Sequence, residues 1–152
     1  FRPQLPTGSH WLELGACPGG MTSELLARHQ RVTAIDRAPL DARLNGHAGL
    51  TFIHSDVAAF RPAPGTVYDA MLSDLNGPPQ ESISHVARYT PFLKPDGLVI
   101  FTLKSPRVED LAAPARLVGE VISTARRVGL SLITESHLPH NRHEFTLFFR
   151  KR

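Results

Sequence analysis

The chain has 152 residues, 41% hydrophobic and 20% charged, an ordinary composition for a single globular domain. A domain of that length buries roughly 70% of its unfolded surface, and no apolar run approaches the roughly 20 residues that a membrane helix needs. The single cysteine, Cys17, excludes an internal disulfide framework and a multi-cysteine zinc site and fits a reducing compartment such as the cytoplasm, while a formal charge of +3 suits a polyanionic partner without demonstrating one. The start at Phe1, with neither methionine nor a basic-then-apolar leader, reads as a fragment lacking an N-terminal segment, with residues 1–152 forming one domain.

The first informative stretch is His10-Trp-Leu-Glu-Leu-Gly-Ala-Cys-Pro-Gly-Gly-Met21. A short apolar run through Trp11, Leu12 and Leu14 enters a glycine-rich turn, and a helix follows from Met21 to about Gln30. Strand, tight loop and helix start in that order can bring backbone N–H groups close to a nucleotide-like cofactor. The same pattern can simply join a strand to a helix. Gly15, Gly19 and Gly20 do not match G-x-G-x-x-G, and Pro18 removes an amide, so a dinucleotide is disfavoured.

A second strand over residues 31–36 ends in Asp36, placed where an acid can hold ribose hydroxyls, or where it is merely a surface acid before a turn. Residues 41–49 are polar and too short for a long helix. Leu50 to His54 is a third strand followed by Ser55-Asp56, and residues 61–66 form a Pro/Gly loop. Val67 to Leu72 is a fourth strand, leading into Ser73-Asp74-Leu75-Asn76. Three successive strands thus end at or beside an aspartate, a repetition that surface decoration explains poorly.

Helical spacing runs from Glu81 to Thr90, then Lys94-Pro-Asp-Gly97 reads as a turn, and Leu98 to Leu103 is an uninterrupted apolar fifth strand that delivers Lys104. An apolar stripe through Leu111, Ala115, Val118, Ile122 and Ala125 places a helix over 109–128, stopped by Gly129. Leu130 to Glu135 and Glu144 to Arg150 are two last strands joined only by a loop, so one of them is antiparallel. His137, His140 and His143 recur in that loop without a carboxylate or thiol at ligand spacing, so polar loop or RNA contact is preferred to a metal.

Leu-Gly-Ala-Cys-Pro-Gly-Gly resembles the cofactor loop of the FtsJ family of ribose 2′-O-methyltransferases, with the Cys-Pro-Gly-Gly form of its RlmM-like members. The resemblance spans nearly the whole chain. It implies an α/β Rossmann-like methyltransferase fold: a seven-stranded, mostly parallel sheet with an antiparallel last strand and helices on both faces. It also implies S-adenosyl-L-methionine as cofactor, bound by Gly15, Cys17, Pro18, Gly19, Gly20, Met21, Asp36, Asp56 and Asp74, with Asp56 meeting the adenine amine. The family's Lys-Asp-Lys-Glu set maps onto Asp74, Lys104 and Glu144, while its first lysine would precede Gly15, where no lysine stands.

The implied substrate is RNA, ribosomal in the first instance, at an unpaired or distorted nucleotide. Arg107, Arg126, Arg127, Arg142 and the Arg150-Lys-Arg152 tail are candidates to follow phosphates. Lys104 is the base or the cation that holds a developing alkoxide. A base role would require lowering a pKa that is ordinarily near 10.4 to about 7–8, which neighbouring carboxylates oppose. Two alternatives share the fold: an RNA-binding domain that has lost turnover, and a small-molecule methyltransferase.

Overall fold

The computed structural model describes residues 4–105, 112–137 and 144–152. Among them, seven strands form one sheet: β1 (His10–Leu14), β2 (Arg31–Asp36), β3 (Leu50–His54), β4 (Tyr68–Ser73), β5 (Leu93–Lys104), β6 (Leu130–His137) and β7 (Glu144–Lys151). Their spatial order is β3-β2-β1-β4-β5-β7-β6. The first five strands pair in parallel, and β7 runs antiparallel to both its neighbours. The antiparallel pairing of β6 with β7 is what a loop connection without a crossover helix allows.

Strand alternation divides the core into two layers. Leu12, Leu14, Met71, Val99 and Phe101 face α2 (Pro79–Tyr89) and α3 (Ala112–Arg127), which contribute Ile83, Val86, Tyr89, Val121 and Ala125. Trp11, Val32, Ala34, Ala70 and Leu98 face α1 (Gly20–Ala27), which contributes Leu25 and Leu26. Helices therefore cover both faces, and every parallel strand carries its C-terminal end to one edge.

Several boundaries move from the sequence expectation. The helix after the glycine turn stops at Ala27 because His29 takes φ +56°, a left-handed angle that ends helical bonding. The next helix begins at Pro79, whose missing N–H costs nothing in a first turn. Lys94-Pro-Asp-Gly97 does not precede the fifth strand but bulges out within it. Tyr68 pairs with Leu93 and Ala70 with Leu98, so two steps along β4 oppose five along β5. Residues 106–111, and with them Arg107, the expected helix start at 109 and Leu111, lie outside the described residues, as do His140, Arg142 and His143.

Candidate active site

The carboxyl edge of β1, β2 and β4 is drawn together by backbone. Gly15 takes φ +80°, and a Cβ there would stand 2.9 Å from the Asp74 carbonyl oxygen, so only glycine lets the turns after β1 and β4 approach this closely. Its N–H donates to the Ile35 carbonyl at 3.0 Å, and the Asp74 N–H donates to the Leu14 carbonyl at 2.9 Å. The turn is fastened to both neighbouring strands.

Asp36 shapes the glycine loop directly. One carboxylate oxygen accepts the Cys17 N–H at 2.8 Å and the other accepts the Ala38 N–H at 2.8 Å. Asp56 caps its own turn through the Ala58 N–H at 2.7 Å and lies 3.7 Å from the exposed Arg37 guanidinium. That turn is clamped from α2: the buried Tyr89 hydroxyl donates to the Val57 carbonyl at 2.5 Å, and Arg88 donates to the Ala58 carbonyl at 2.5 Å.

Asp74 follows β4 and places Oδ1 at 3.1 Å from Lys104 Nζ. Lys104 also donates to Asn76 Oδ1 at 2.6 Å. Glu144 opens β7 and sits directly opposite Lys104 in the antiparallel ladder. Three of the expected residues from distant parts of the chain are thus neighbours.

One crevice of about 740 Å³, open mouth included, gathers Gly15, Cys17, Asp36, Asp56 and Asp74, with Val57 and Leu75 as apolar walls and Asn76, Glu81 and His85 along the α2 side. Pro18, Gly19, Gly20 and Met21 stand outside this lining. The chain turns away after Cys17: Gly19, at φ +110°, packs beside Leu44, Gly20 opens α1, and Met21 is exposed. Among the charged lining groups, Asp36, Asp56, Asp74 and Glu81 outnumber Arg37, with Lys104 beside Asp74 at the edge. Such a crevice favours a ligand carrying positive charge and repels a pyrophosphate.

Glu13 was not singled out by sequence. It is 1% exposed on the α1 side of the sheet, where the Thr22 hydroxyl donates to it at 2.6 Å. Burial lifts its carboxyl to about 7, with Thr22 opposing and the charges of Asp74 and Asp36 adding to the rise. A lone acid inside an apolar strand two residues before a glycine turn was the available signal.

Arg126, Arg127 and the Arg150-Lys-Arg152 tail do not border the crevice. β7 runs antiparallel, so its end pairs near Leu98 and Leu130 at the opposite edge of the sheet, about 20 Å from Glu144 at ~3.3 Å per residue. There Arg150 donates to the Asp96 carbonyl, Lys151 to the Leu93 carbonyl and Arg152 to the Ser131 hydroxyl. The bonds of the last three residues tie that sheet edge. His137 ends β6 at the crevice edge, and no group of three or more metal-binding side chains occurs among the described residues.

No family model matches the chain. The ribosomal RNA large subunit methyltransferase M of Pseudoalteromonas atlantica is 29% identical over 150 residues, covering 97% of this chain and 41% of the relative. The Halorhodospira halophila protein of the same name is 33% identical over 147 residues, covering 95% of this chain and 40% of the relative. Over nearly its whole length the chain is similar to the RlmM-like family. As an RlmM-like chain it spans about two fifths of the length of those two relatives. Aeropyrum pernix fibrillarin, solved with natively bound S-adenosyl-L-methionine, superposes with a TM-score of 0.70 at 18% identity, over 94% of this chain and 66% of that one. The fold is therefore the Rossmann-like methyltransferase fold that the glycine loop and strand order imply.

Proposed function

We propose that this RlmM-like chain carries the catalytic site of an S-adenosylmethionine-dependent RNA ribose 2′-O-methyltransferase acting on large-subunit ribosomal RNA in the cytoplasm. The observation that carries the reading is the meeting of Lys104 and Asp74, 3.1 Å apart, at the edge of a crevice whose other acids are Asp36, Asp56 and Glu81. No described helix is long and apolar enough to cross a membrane.

The lining suits S-adenosylmethionine. Asp36, at the tip of β2, can accept from ribose hydroxyls, Asp56 from an adenine amine, and Val57 and Leu75 offer apolar surface to a flat base. The surplus of carboxylates suits a cationic ligand. When bound, the cofactor supplies a methyl group on a sulfonium, an electrophile whose leaving group is neutral.

The chain's own task is to hold a ribose hydroxyl in line and ease the loss of its proton. Lys104 has three N–H donors, of which one meets Asn76 and another faces Asp74, leaving the third for the hydroxyl oxygen. An ammonium so placed stabilises the oxygen as negative charge develops on it. Asp74 orients Lys104, Glu144 stands opposite it in the ladder, and Asp36 keeps the glycine loop in its working shape through the Cys17 amide.

The test incubates full-length protein with tritiated S-adenosylmethionine and ribosomal RNA, then digests the RNA to nucleosides. Label in a 2′-O-methylnucleoside is expected. Label on a base, or label in a metabolite extract but never in RNA, would overturn the reading.

A further inference from the structure

Lys104 touches two acceptors, and only one of them is a carboxylate. Its Nζ lies 3.1 Å from Asp74 Oδ1 and donates to Asn76 Oδ1 at 2.6 Å. The ammonium has donors and no acceptor, so the carboxamide must present its oxygen, and its orientation is fixed. Asn76 lines the same crevice as Asp74, on the turn between β4 and α2. That turn has little freedom: Gly77 takes φ +143° and Pro78-Pro79 start the helix immediately after. Lys94, at the other edge of the sheet, has one carboxylate partner, Asp69 at 2.6 Å, and sits outside the crevice.

We infer that Asn76 is a positioning residue that, together with Asp74, fixes the direction of the Lys104 ammonium toward the acceptor hydroxyl. A lysine carries its charge on a flexible four-carbon stem, so a single anchor leaves the head free to swing and two anchors define its third N–H. The effect on rate rests on the methyl-transfer reading; the restraint on Lys104 does not.

Two arms test this in the full-length protein. In the first, trace acylation with acetic anhydride is read peptide by peptide by mass spectrometry. Asn76→Ala should raise Lys104 labelling severalfold while Lys94 and Lys151 keep wild-type labelling, and Asn76→Asp, which retains an oxygen at that position, should not. Asn76→Ser, too short to reach Lys104, serves as a second truncation if the alanine variant folds poorly. Unchanged Lys104 labelling in a folded truncation overturns the inference.

In the second arm, Asn76→Ala should lower kcat by about 10- to 100-fold, the scale expected for a misplaced group, with little change in KM for RNA. Asn76→Asp should recover most of that loss, and Asn76→Ala should cost nothing further in a Lys104→Ala background. Additive losses overturn the inference. Wild-type protein that transfers no methyl, while the labelling contrast holds, overturns only the methyl-transfer reading.

Discussion

The two edges of the sheet use the same residue types to opposite ends. At the edge where β1, β2 and β4 finish, Asp36 and Asp56 spend their carboxylates on backbone amides and still line an open crevice. At the other edge, Asp69 meets Lys94 at 2.6 Å, and Arg150 and Lys151 reach backbone carbonyls at 2.9 and 2.6 Å. An amide fixes a carboxylate without cancelling its charge, whereas a cation neutralises it. The first edge therefore keeps a negative field for a ligand, and the second spends its charges closing the sheet. The first edge has cations too: exposed Arg37 lies 3.7 Å from Asp56, and Lys104 is held by Asp74 and Asn76.

The comparison breaks most visibly if the two lysines are exchanged as targets. Lys104→Ala should cut single-turnover methyl transfer by about 10²–10⁴-fold, the usual scale for a group acting on the reacting proton or oxygen, while Lys94→Ala leaves it within about twofold. Equal losses would mean that the edges do not differ in function.

Glu13 sharpens the contrast through pH. Its native carboxyl titrates at about 7 instead of the ordinary 4.5, so the folded state binds more protons between those values. Its contribution therefore favours the native state below the ordinary value and is lost as pH rises through about 7. Glu13→Gln, which keeps an acceptor for Thr22, should gain stability relative to wild type between pH 5 and pH 8, by up to about 3 kcal/mol in urea unfolding. A difference that is flat with pH would remove the buried-acid account.

Smaller effects follow at Asp36 and Asp69. Asp36→Asn should weaken S-adenosylhomocysteine by roughly 10- to 30-fold in titration calorimetry, since a charged acceptor for ligand and loop is lost together. Asp69→Asn should leave that affinity unchanged and cost less than about 1 kcal/mol of stability, as expected for an accessible ion pair.

Much of this was legible because each piece is local. Short apolar runs bounded by turn residues, such as Val32 to Ile35 and Leu98 to Leu103, read as strands, and Asp36 and Lys104 follow them directly in sequence. Gly15 announced a tight turn, and the loop joining the last two strands announced an antiparallel partner. What escaped depended on direction or on distance along the chain. The reversal of β7, which carries the Arg150-Lys-Arg152 tail to the far edge, cannot be read from the tail itself. Glu13 looked like one more strand residue because its hydroxyl partner, Thr22, comes from the helix packed above it. The Asn76 to Lys104 contact joins residues 28 positions apart, with no periodicity to betray it.

The central claim is that one carboxyl-edge crevice holds the cofactor beside Lys104. A crystal structure of the protein soaked with S-adenosylhomocysteine tests it most directly. The expected result is a ribose within hydrogen-bond distance of Asp36, an adenine amine at Asp56 and the sulfur on the Asp74–Lys104 side of the crevice. A nucleoside bound away from Asp36 and Asp56, or a sulfur turned away from Lys104, would contradict the account.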